Sequence, residues 1–421
     1  MADYATLGAK LLKNIYDRER MQYLVAEHFA LEKLFSKFSG VPRADVGGLK
    51  WVFPVGLRWP NSVTFMPYNG VIRTPDSFDM VQGEVTVRQL TATASIQYAM
   101  QKLSEGGGVR AFADALQEER RVLALRIRDR RLRAYFAGQN GIMAVVTDVD
   151  SAENKIKVMS PYGFTNGAGG HTIGAAYLFR HGDKIVLHDD VNYVGTGHLT
   201  VVDIDTEDNW LTVQGTIPGT GVVGSYVVYG EYRADLGQFV SDWGQSMNGL
   251  YDIFTAETYE GISSVQVPQW RATVFHNEGI LRPLDGDILI DLLGAAEAKG
   301  IKLDTILVHS SAKKAFYNMF ADQVRYEPGQ FKGGMQSVTF DLLGHSAQIW
   351  FDQLAPKNWI IGFRAQDLIR FELDPGDWLR EGDSELKWVK DKTEWVLVWA
   401  ELRNVGTRRR DLFFAVGDIE M

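Results

Sequence analysis

One stretch of this sequence constrains the fold more than any other, because it combines great length with two apolar sides. Residues 110–137 contain neither proline nor glycine, which predicts a single helix about 40 Å long. One apolar stripe of this helix comprises Phe112, Leu116, Leu123, Ile127 and Ala134, and a second, nearly opposite, comprises Leu125, Leu132 and Phe136. A surface helix of a globular protein has one apolar stripe. This helix is therefore predicted to lie between two packing partners.

Arginines fill both seams between the apolar stripes. One seam carries Arg120, Arg121, Arg128 and Arg131, and the other carries Arg126, Arg130 and Arg133. Two interpretations stay open. The arginines form ion pairs, within or between subunits, with acids such as Glu118, Glu119 and Asp129, or they contact nucleic acid phosphates. The net charge of −9 argues against nonspecific binding of nucleic acid by the surface as a whole.

Residues 41–90 have a different character, since five prolines argue against helix. The segments KWVFPV, SVTFMPY and GEVTVRQL predict long extended strands. This thin ribbon carries the aromatic residues Trp51, Phe53, Trp59, Phe65, Tyr68 and Phe78. A two-stranded ribbon cannot bury so many rings by itself, although each ring gains about 1.5–3 kcal/mol from burial. The ribbon is therefore predicted to pack against something else, and these six side chains are candidates for contact with another subunit.

Residues 142–232 follow a period of two, which predicts a compact all-β unit the size of a small barrel. Within it, Asp-x-Asp-x-x-x-Asn occurs twice, beginning at Asp148 and Asp203. An EF-hand calcium loop needs glycine at its sixth position and glutamate at its twelfth. The loop from Asp148 has Glu153 and Met159 there, and the other copy also lacks both. Both copies are predicted to be hairpin turns.

The rest of the chain mixes helices and strands. Residues 6–38 predict one or two amphipathic helices, residues 287–300 a helix that ends at Gly300, and residues 304–310 a buried strand. The next helix is predicted to have Ser310 or Ser311 as its N-cap. Near the C-terminus, two strands flank VGTRRR, which is interpreted as a hairpin-like turn with a basic tip.

No catalytic, cofactor-binding or metal-binding constellation is predicted. The chain has no cysteine, and GTGVVG at 219–224 precedes a strand rather than the helix that a dinucleotide motif requires. The histidines His171, His181, His188 and His198, with Asp189 and Asp190 alongside, are interpreted as scattered surface residues rather than as a metal site. No run of 18 apolar residues occurs. The charged N-terminus lacks a signal peptide's apolar core, so synthesis in the cytoplasm is expected.

The order of these elements resembles the major capsid proteins of tailed bacteriophages with the HK97 fold. The resemblance rests on the N-terminal arm, the extended loop at about 46–88, TVRQLTATASIQYAMQKLSEGG, and the long helix that ends in AYFAGQNG. The module at 287–321 and EWVLVWAELRNVGTRRRDLFFAVGDI complete it. The β-unit is similar to the insertion domain of P22-like coat proteins. The resemblance implies an α+β fold with an N-arm, E-loop, spine helix, P-domain and A-domain, and an inserted all-β, barrel-like domain.

The resemblance also implies domain boundaries. They are the N-arm at 1–45, the E-loop at 46–90, the P-domain with the spine helix at 91–141, the inserted β-domain at 142–232, a P-domain continuation at 233–282, the A-domain at 283–371 and closing P-domain strands at 372–421. Only about 40 residues precede the E-loop, so a separate scaffolding protein is expected. Residues 51–90 contain no lysine, so the covalent cross-linking through an E-loop lysine found in some members is not expected.

The implied function is a non-enzymatic coat protein that assembles into an icosahedral shell around phage double-stranded DNA. Its expected partners are copies of itself in hexamers and pentamers, a scaffolding protein, the portal, a possible decoration protein and DNA by nonspecific contact, with no membrane and no cofactor. Its expected location is the virion, after assembly in the host bacterial cytoplasm. Two alternatives remain: an encapsulin-like nanocompartment shell, and, more remotely, a metal- or glycan-binding β-module on an enzyme, with His188, Asp189 and Asp190 as its site.

Overall fold

The computed structural model describes residues 34–37, 49–58, 62–66, 68, 70–71, 73–74, 76–97, 109–162, 173–219, 222–320, 337–342, 345–380, 385–389 and 394–420. The helices predicted within residues 6–38 lie almost wholly outside this part, as do Trp59 and His171. Side chains of the long helix are described from Arg120 onward, so Phe112, Leu116, Glu118 and Glu119 also fall outside it. No helix within the described residues is long and apolar enough to cross a membrane.

The elements form long runs of strands with a few helices between them, as in an α+β fold. The helices are α1 (Val109–Ala137), α2 (Leu250–Thr255), α3 (Gly286–Ala298) and α4 (Lys313–Phe320). The strands are β1 (Ser36–Lys37), β2 (Lys50–Arg58), β3 (Asp79–Thr86), β4 (Arg88–Gln97), β5 (Ile142–Asp150), β6 (Lys155–Met159), β7 (Lys184–His188), β8 (Tyr193–Asp205), β9 (Trp210–Gln214), β10 (Tyr226–Arg233), β11 (Gln238–Ser241), β12 (Thr258–Tyr259), β13 (Ile262–Ser263), β14 (Thr273–Phe275), β15 (Arg282–Pro283), β16 (Thr305–His309), β17 (Ser337–Leu342), β18 (His345–Asp352), β19 (Ile360–Phe363), β20 (Ile369–Trp378), β21 (Leu386–Val389), β22 (Glu394–Gly406), β23 (Phe414–Val416) and β24 (Ile419–Glu420).

Two open sheets form the body outside the barrel. The first has the order β1-β20-β22-β21, with β4 on the other side of β22. The second is a mixed sheet of six strands in the order β14-β23-β19-β16-β18-β17. Helix α3 covers this second sheet with Leu289, Leu292 and Leu293, which are fully buried in the same apolar cluster as Ile306 and Ile349. The predicted end of α3 is confirmed, since Gly300 adopts φ +73° and its N–H donates to the Glu297 carbonyl.

The predicted β-unit forms a closed barrel. Its strands follow the order β10-β5-β6-β9-β8-β7, and β7 also pairs with β10, which closes the ring of six strands. Closure leaves no free edge within the ring. Strand β11 extends β10 on the outside, so the sheet continues to Ser241, beyond the boundary predicted at residue 232. Alternate side chains such as Ile156, Val158, Leu211 and Val213 fill the barrel interior.

The duplicated Asp-x-Asp-x-x-x-Asn segments are hairpin turns, as predicted. Asp150 accepts hydrogen bonds from the backbone N–H groups two and three residues ahead, at 2.9 and 3.2 Å, and Asp205 does the same at the same distances. Each turn ends on an asparagine in the left-handed region, Asn154 with φ 52° and Asn209 with φ 62°. The carboxylates therefore stabilise their own turns, which is what Asx turns do.

The two hairpins are related by an approximate two-fold axis between β6 and β9. The N–H of Val158 donates to the Asn209 carbonyl at 3.0 Å, and the N–H of Val213 donates to the Asn154 carbonyl at 2.9 Å. These four positions are the ones that coincide when the two sequence copies are aligned. The sequence repeat therefore corresponds to a repeat of backbone pairing, and both copies are needed to close the barrel.

Helix α1 lies between the barrel and the first sheet, as the two apolar stripes predicted. Ile127 packs with Trp378, Leu397 and Trp399 of that sheet. Leu132 and Phe136, on the other stripe, are buried in the main core together with the barrel interior. Leu125 departs from the prediction, because 49% of its side chain is exposed. No described part of the chain covers the helix surface at that residue.

Three local predictions are wrong. VGTRRR is not a hairpin, because β22 belongs to the first sheet and β23 to the second. Between them Arg410 turns into the core and donates to the Ile253 carbonyl at 2.7 Å, which draws the chain out of the first sheet. SVTFMPY forms no strand where it is described, and the proline within it lacks the N–H that a ladder needs. Finally, His309 rather than Ser310 or Ser311 caps the turn before α4.

Candidate assembly surfaces

Strands β2 and β3 form a two-stranded antiparallel ribbon whose inner end is fixed in the body of the chain. Their register runs from Lys50 opposite Thr86 to Arg58 opposite Asp79. Trp51 and Phe53 on β2 are 0% and 2% exposed, and both rings pack on Phe371 of β20, with centroids 5.5 and 6.0 Å away. The prediction that these two side chains contact another subunit is therefore wrong, because the chain itself covers them.

Backbone contacts also hold this inner end. The N–H of Glu84 on β3 donates to the Glu260 carbonyl at 2.8 Å, and the side-chain amide of Asn404 donates to the Thr86 carbonyl at 2.7 Å. Lys50 and Glu84 form a cross-strand ion pair at 2.8 Å. Strand β22 and the β12–β13 turn therefore hold the ribbon at its base.

Each strand of the ribbon has one glycine that accommodates a ring from the opposite strand. A Cβ at Gly83 would lie 2.7 Å from the buried Phe53 ring, and a Cβ at Gly56 would lie 2.6 Å from the Phe78 ring. Phe78 is nevertheless 50% exposed, because only one of its faces is covered. The two cross-strand contacts keep the ribbon flat against its own aromatic side chains.

The outer end of the ribbon carries large apolar side chains that nothing in the described chain covers. We call Val63, Phe65, Tyr68 and Val71 the ribbon tip; they are 86%, 106%, 103% and 94% exposed. An isolated exposed apolar residue is ordinary, but a contiguous group on a projecting element marks an interaction site. For Phe65, Tyr68 and Phe78, contact with another subunit stays a prediction.

The two arginine seams of α1 face two different parts of the chain, the barrel and the first sheet. On the barrel side, Arg126 and Arg133 both pair with Asp183 at 3.2 Å, and Arg130 pairs with Asp242. The guanidinium of Arg130 also lies 3.5 Å from the centroid of the Tyr229 ring, a cation–π contact. These three arginines are the members of one predicted seam. Asp183 is 8% exposed, so it is a buried acceptor shared by two cations of the helix.

The other seam faces the first sheet. Arg131 pairs with Glu401 of β22 at 2.7 Å, and Arg120 pairs with Glu385 at 2.5 Å. Glu401 is fully buried and also pairs with Arg403 at 2.7 Å. A buried carboxylate is tolerated only with such partners. In the same seam Arg128 is buried and Arg121 is exposed.

Ion pairing therefore accounts for most of the predicted arginine set. Arg120, Arg128, Arg131 and Arg133 are at most 5% exposed, so they do not reach a ligand at the surface. Asp129, one of the predicted acids, pairs with Arg133 at 2.6 Å. The sequence did not indicate Asp183, Asp242, Glu385 or Glu401 as partners.

A cleft of about 260 Å³ lies where α1, β4 and the barrel meet. Its lining includes Arg126, Arg130 and Lys184, together with Asp129 and Asp183. Lys184 pairs with Glu231, and both arginines pair with barrel acids. Arg133, which also lines the cleft, pairs with Asp129, so each of the four cations in the lining has an acidic partner.

The junction of α1, α2 and the ribbon base contains two acids, Asp252, which is half-buried, and Glu260, which is buried. Asp252 accepts hydrogen bonds from Gln139 N–H at 2.5 Å and Gly249 N–H at 3.1 Å. Burial raises its pKa to about 6, although these N–H groups and nearby arginines oppose the shift. Burial also raises the pKa of Glu260, whose Oε1 accepts from Thr407 N–H at 2.8 Å. Both carboxyls join elements that are far apart in the sequence.

The three described histidines of the barrel lie in different surroundings, and His188 departs from the prediction of surface histidines because it is buried. His188 is buried and stacks on Trp243 at 3.8 Å, His181 contacts the Val202 carbonyl, and His198 accepts from Tyr232 N–H. Asp189 accepts from two N–H groups of its own turn. Among the described residues, no group of three histidine or acidic side chains is placed to hold a metal ion.

Three solved structures illustrate what the chain is similar to, and all three are capsids or procapsids. They are the Cyanophage A-1(L) capsid asymmetric unit (12% identity, 97% of this chain, 95% of that chain, TM-score 0.47), the capsid of a native GTA particle (7%, 94%, 91%, 0.44) and the satellite phage P4 procapsid including the size determination protein Sid (10%, 96%, 100%, 0.40). No protein-family model matches the sequence, and no curated protein matches it.

Proposed function

We propose that this chain is the major capsid protein of a tailed bacteriophage, which assembles into the icosahedral shell that encloses double-stranded DNA. The observation that carries the proposal is the ribbon. Its inner end is fixed in the core by Trp51 and Phe53, while its outer end presents Phe65 and Tyr68 to solvent. A monomeric protein gains nothing from this arrangement, whereas a shell subunit needs an arm that reaches a neighbour.

The elements correspond to the parts of an HK97-like subunit. The ribbon of β2 and β3 takes the place of the E-loop, and α1 takes that of the spine helix. The first sheet, with β4, β20 and β22, takes the place of the P-domain, and the second sheet with α3 that of the A-domain. The support for this proposal is the long helix packed on the first sheet beside a projecting two-stranded arm.

The energetics also favour assembly through the arm. Full burial of a phenylalanine or valine side chain contributes about 1.5–3 kcal/mol, so several tip residues together supply an appreciable contact. An arm that contacts a different surface on the next copy makes a heterologous interface, which closes into rings and shells when the rotation permits. Many such contacts in one particle act together, so no single contact has to be strong.

The barrel is proposed to brace the long helix within the same subunit. Asp183 and Asp242 neutralise three arginines of α1, and the barrel interior shares its apolar core with Leu132 and Phe136. Removal of the barrel leaves Arg133, which is 1% exposed, without Asp183, one of the two acids that pair with it. The proposed capsid function also implies the remaining partners, which are a scaffolding protein, the portal, a decoration protein and DNA by nonspecific contact. It further implies assembly in the host cytoplasm before the protein becomes part of the virion.

The test is electron microscopy of the chain expressed with the scaffolding protein encoded beside it. The wild type is expected to form regular hollow particles. The double variant Phe65→Ser with Tyr68→Ser is expected to give none, with an unchanged melting temperature, because both side chains are fully exposed in the subunit. The matched control is Val191→Ser with Val223→Ser, which removes exposed apolar side chains from the barrel, at 78% and 63% exposure.

Two results would contradict the proposal. One is a wild type that stays monomeric at every concentration with its scaffold present. The other is a tip variant that assembles as well as the barrel control. An encapsulin-like compartment would pass this test, and the particle contents separate the two functions, since a virus shell encloses DNA and a nanocompartment encloses an enzyme. The enzyme-module alternative has no support in the described residues, because His188, Asp189 and Asp190 do not converge on a site.

A further inference from the structure

An ion cluster joins the two strands of the ribbon at its outer end. Arg58 is the last residue of β2, Asp79 is the first residue of β3, and Asp76 precedes β3. The Arg58 Nε donates to Asp79 at 2.9 Å, while Nη1 and Nη2 donate to the two oxygens of Asp76 at 3.0 and 3.1 Å. All three guanidinium nitrogens are therefore engaged, and the contact with Asp76 is a bidentate fork.

The cluster lies where regular pairing of the ribbon stops. The register shifts between Gly56 and Arg58, and no backbone ladder is present in the described residues between Arg58 and Asp79. Arg58 and Asp79 are also the last Cα pair of the ladder, so the guanidinium reinforces the end of the paired region. The fork to Asp76 extends this tie three residues beyond the ladder, into the segment that includes the ribbon tip.

Stability of the subunit does not explain such a cluster. The side chains of Arg58 and Asp79 are 50% and 54% exposed, and ion pairs at this exposure contribute little to folding. Ordering a segment before it binds, in contrast, lowers the entropy cost of association. The cluster is therefore expected to affect the shape of the arm before assembly rather than the stability of the subunit.

We propose that Arg58 is a positioning residue for assembly, which holds the ribbon tip in the shape that docks on a second copy of this chain. The inference rests on the proposed capsid function for its docking step. The geometric step, that Arg58 orders residues 59–78 in the free subunit, stands independently of it. Lysine at this position keeps the charge but has neither the fork nor the additional Nε donor, so Arg58→Lys separates geometry from charge.

The first experiment measures the order of the segment in the unassembled subunit. Chymotrypsin cleavage after Phe65 and Tyr68 is followed by mass spectrometry in the wild type, in Arg58→Lys and in the control Arg233→Lys. Arg233 forms a comparable exposed contact with Asp235 on the barrel, through Nε at 3.1 Å and through a second guanidinium nitrogen. Arg58→Lys is expected to be cleaved roughly fivefold faster or more, because cleavage tracks the opened population. The control is expected to be cleaved at the wild-type rate.

Salt provides a second readout that loss of folding would not imitate. Screening weakens exposed ion pairs, with a Debye length of about 3 Å at 1 M. Cleavage of the wild type, corrected for the protease rate on a free peptide, is therefore expected to approach that of Arg58→Lys at about 1 M NaCl, while the variant changes little. Equal cleavage of wild type and Arg58→Lys at low salt would overturn the inference.

The second experiment measures assembly. If the tip must be ordered before docking, Arg58→Lys raises the concentration needed for particle formation by roughly the factor seen in cleavage, and Arg233→Lys leaves it unchanged. Assembly of Arg58→Lys at the wild-type concentration would overturn the docking step. Absence of particles from the wild type would instead overturn the proposed function, and the cleavage rates would still decide whether Arg58 orders the arm.

Discussion

The contact between helix and barrel permits a test in which one carboxylate serves two arginines of very different exposure. Asp183 accepts hydrogen bonds from the Tyr229 hydroxyl at 2.8 Å and the Arg180 N–H at 2.7 Å. It also pairs with Arg133 and Arg126, both at 3.2 Å, and the side chains of these arginines are 1% and 52% exposed. The two arginines therefore pair with the same carboxylate at the same distance and differ in how deeply they are buried.

The expected free energies of unfolding follow from that difference. Asp183→Ala leaves Arg133 buried with Asp129 as its remaining anion at 2.6 Å and removes the nearest acceptor of the Tyr229 hydroxyl, so a loss of about 1–3 kcal/mol is expected. Asp183→Asn keeps an acceptor but removes the charge, so a smaller loss is expected. Arg126→Ala removes the half-exposed partner and is expected to cost less than about 1 kcal/mol.

Urea denaturation followed by circular dichroism measures these differences as shifts of the midpoint at constant slope. The reasoning fails if Arg126→Ala costs as much as Asp183→Ala, because exposure would then have no influence. It also fails if Asp183→Ala costs less than about 1 kcal/mol, since the barrel would then not neutralise the helix. A changed slope in any variant would indicate a change in the unfolded state or a loss of two-state behaviour.

Three further outcomes are expected. Burial raises the pKa of Asp252 to about 6, so the folded state binds this proton more tightly and stability falls as pH rises from about 4 to about 6; Asp252→Asn should flatten that slope in thermal melts. Gly83→Val meets the buried Phe53 ring and should cost about 1–3 kcal/mol, whereas Gly56→Val meets the half-exposed Phe78 ring, which can move, and should cost less than about 1 kcal/mol in the same denaturation assay. Excess calcium and EDTA should give the same melting temperature, because the acidic hairpin turns use their carboxylates on their own backbone.

The long helix shows what a single stretch of sequence determines. Its length and its two sides were readable, because helical periodicity places each residue of residues 110–137 on a definite face. The partners were not readable, since Glu401 is separated from Arg131 by 270 residues and Asp183 from Arg133 by 50. Leu125 was misplaced because a helical wheel gives the direction of a side chain but not whether another element extends that far.

The ribbon aromatics show the opposite limit. Trp51, Phe53, Phe65 and Tyr68 are equivalent by sequence, since each is a large ring in a proline-rich segment. Phe371, far away in the chain, distinguishes them, because it covers Trp51 and Phe53 and leaves Phe65 and Tyr68 exposed. The number of rings correctly predicted that the ribbon lies against something, but not that its inner half lies on its own subunit.

The prediction of a strand hairpin near the C-terminus was wrong for a related reason. A turn-like segment between two strands predicts a hairpin when local geometry decides the pairing. Here a buried contact decides it, since the guanidinium of Arg410 reaches the carbonyls at the end of α2. A charged side chain in such a turn looks like a solvated tip in the sequence. Only the distant acceptors reveal that it is 1% exposed.

The distribution of charge and apolar surface connects these features with assembly. The arginines that looked suited to DNA are largely used inside the subunit, with Arg131 and Arg133 held by acids of the sheet and the barrel. Large uncovered apolar side chains lie instead at the ribbon tip. Under the proposed capsid function, ionic contacts hold each subunit together, and apolar contacts through the arm are expected to supply the free energy that joins one subunit to the next.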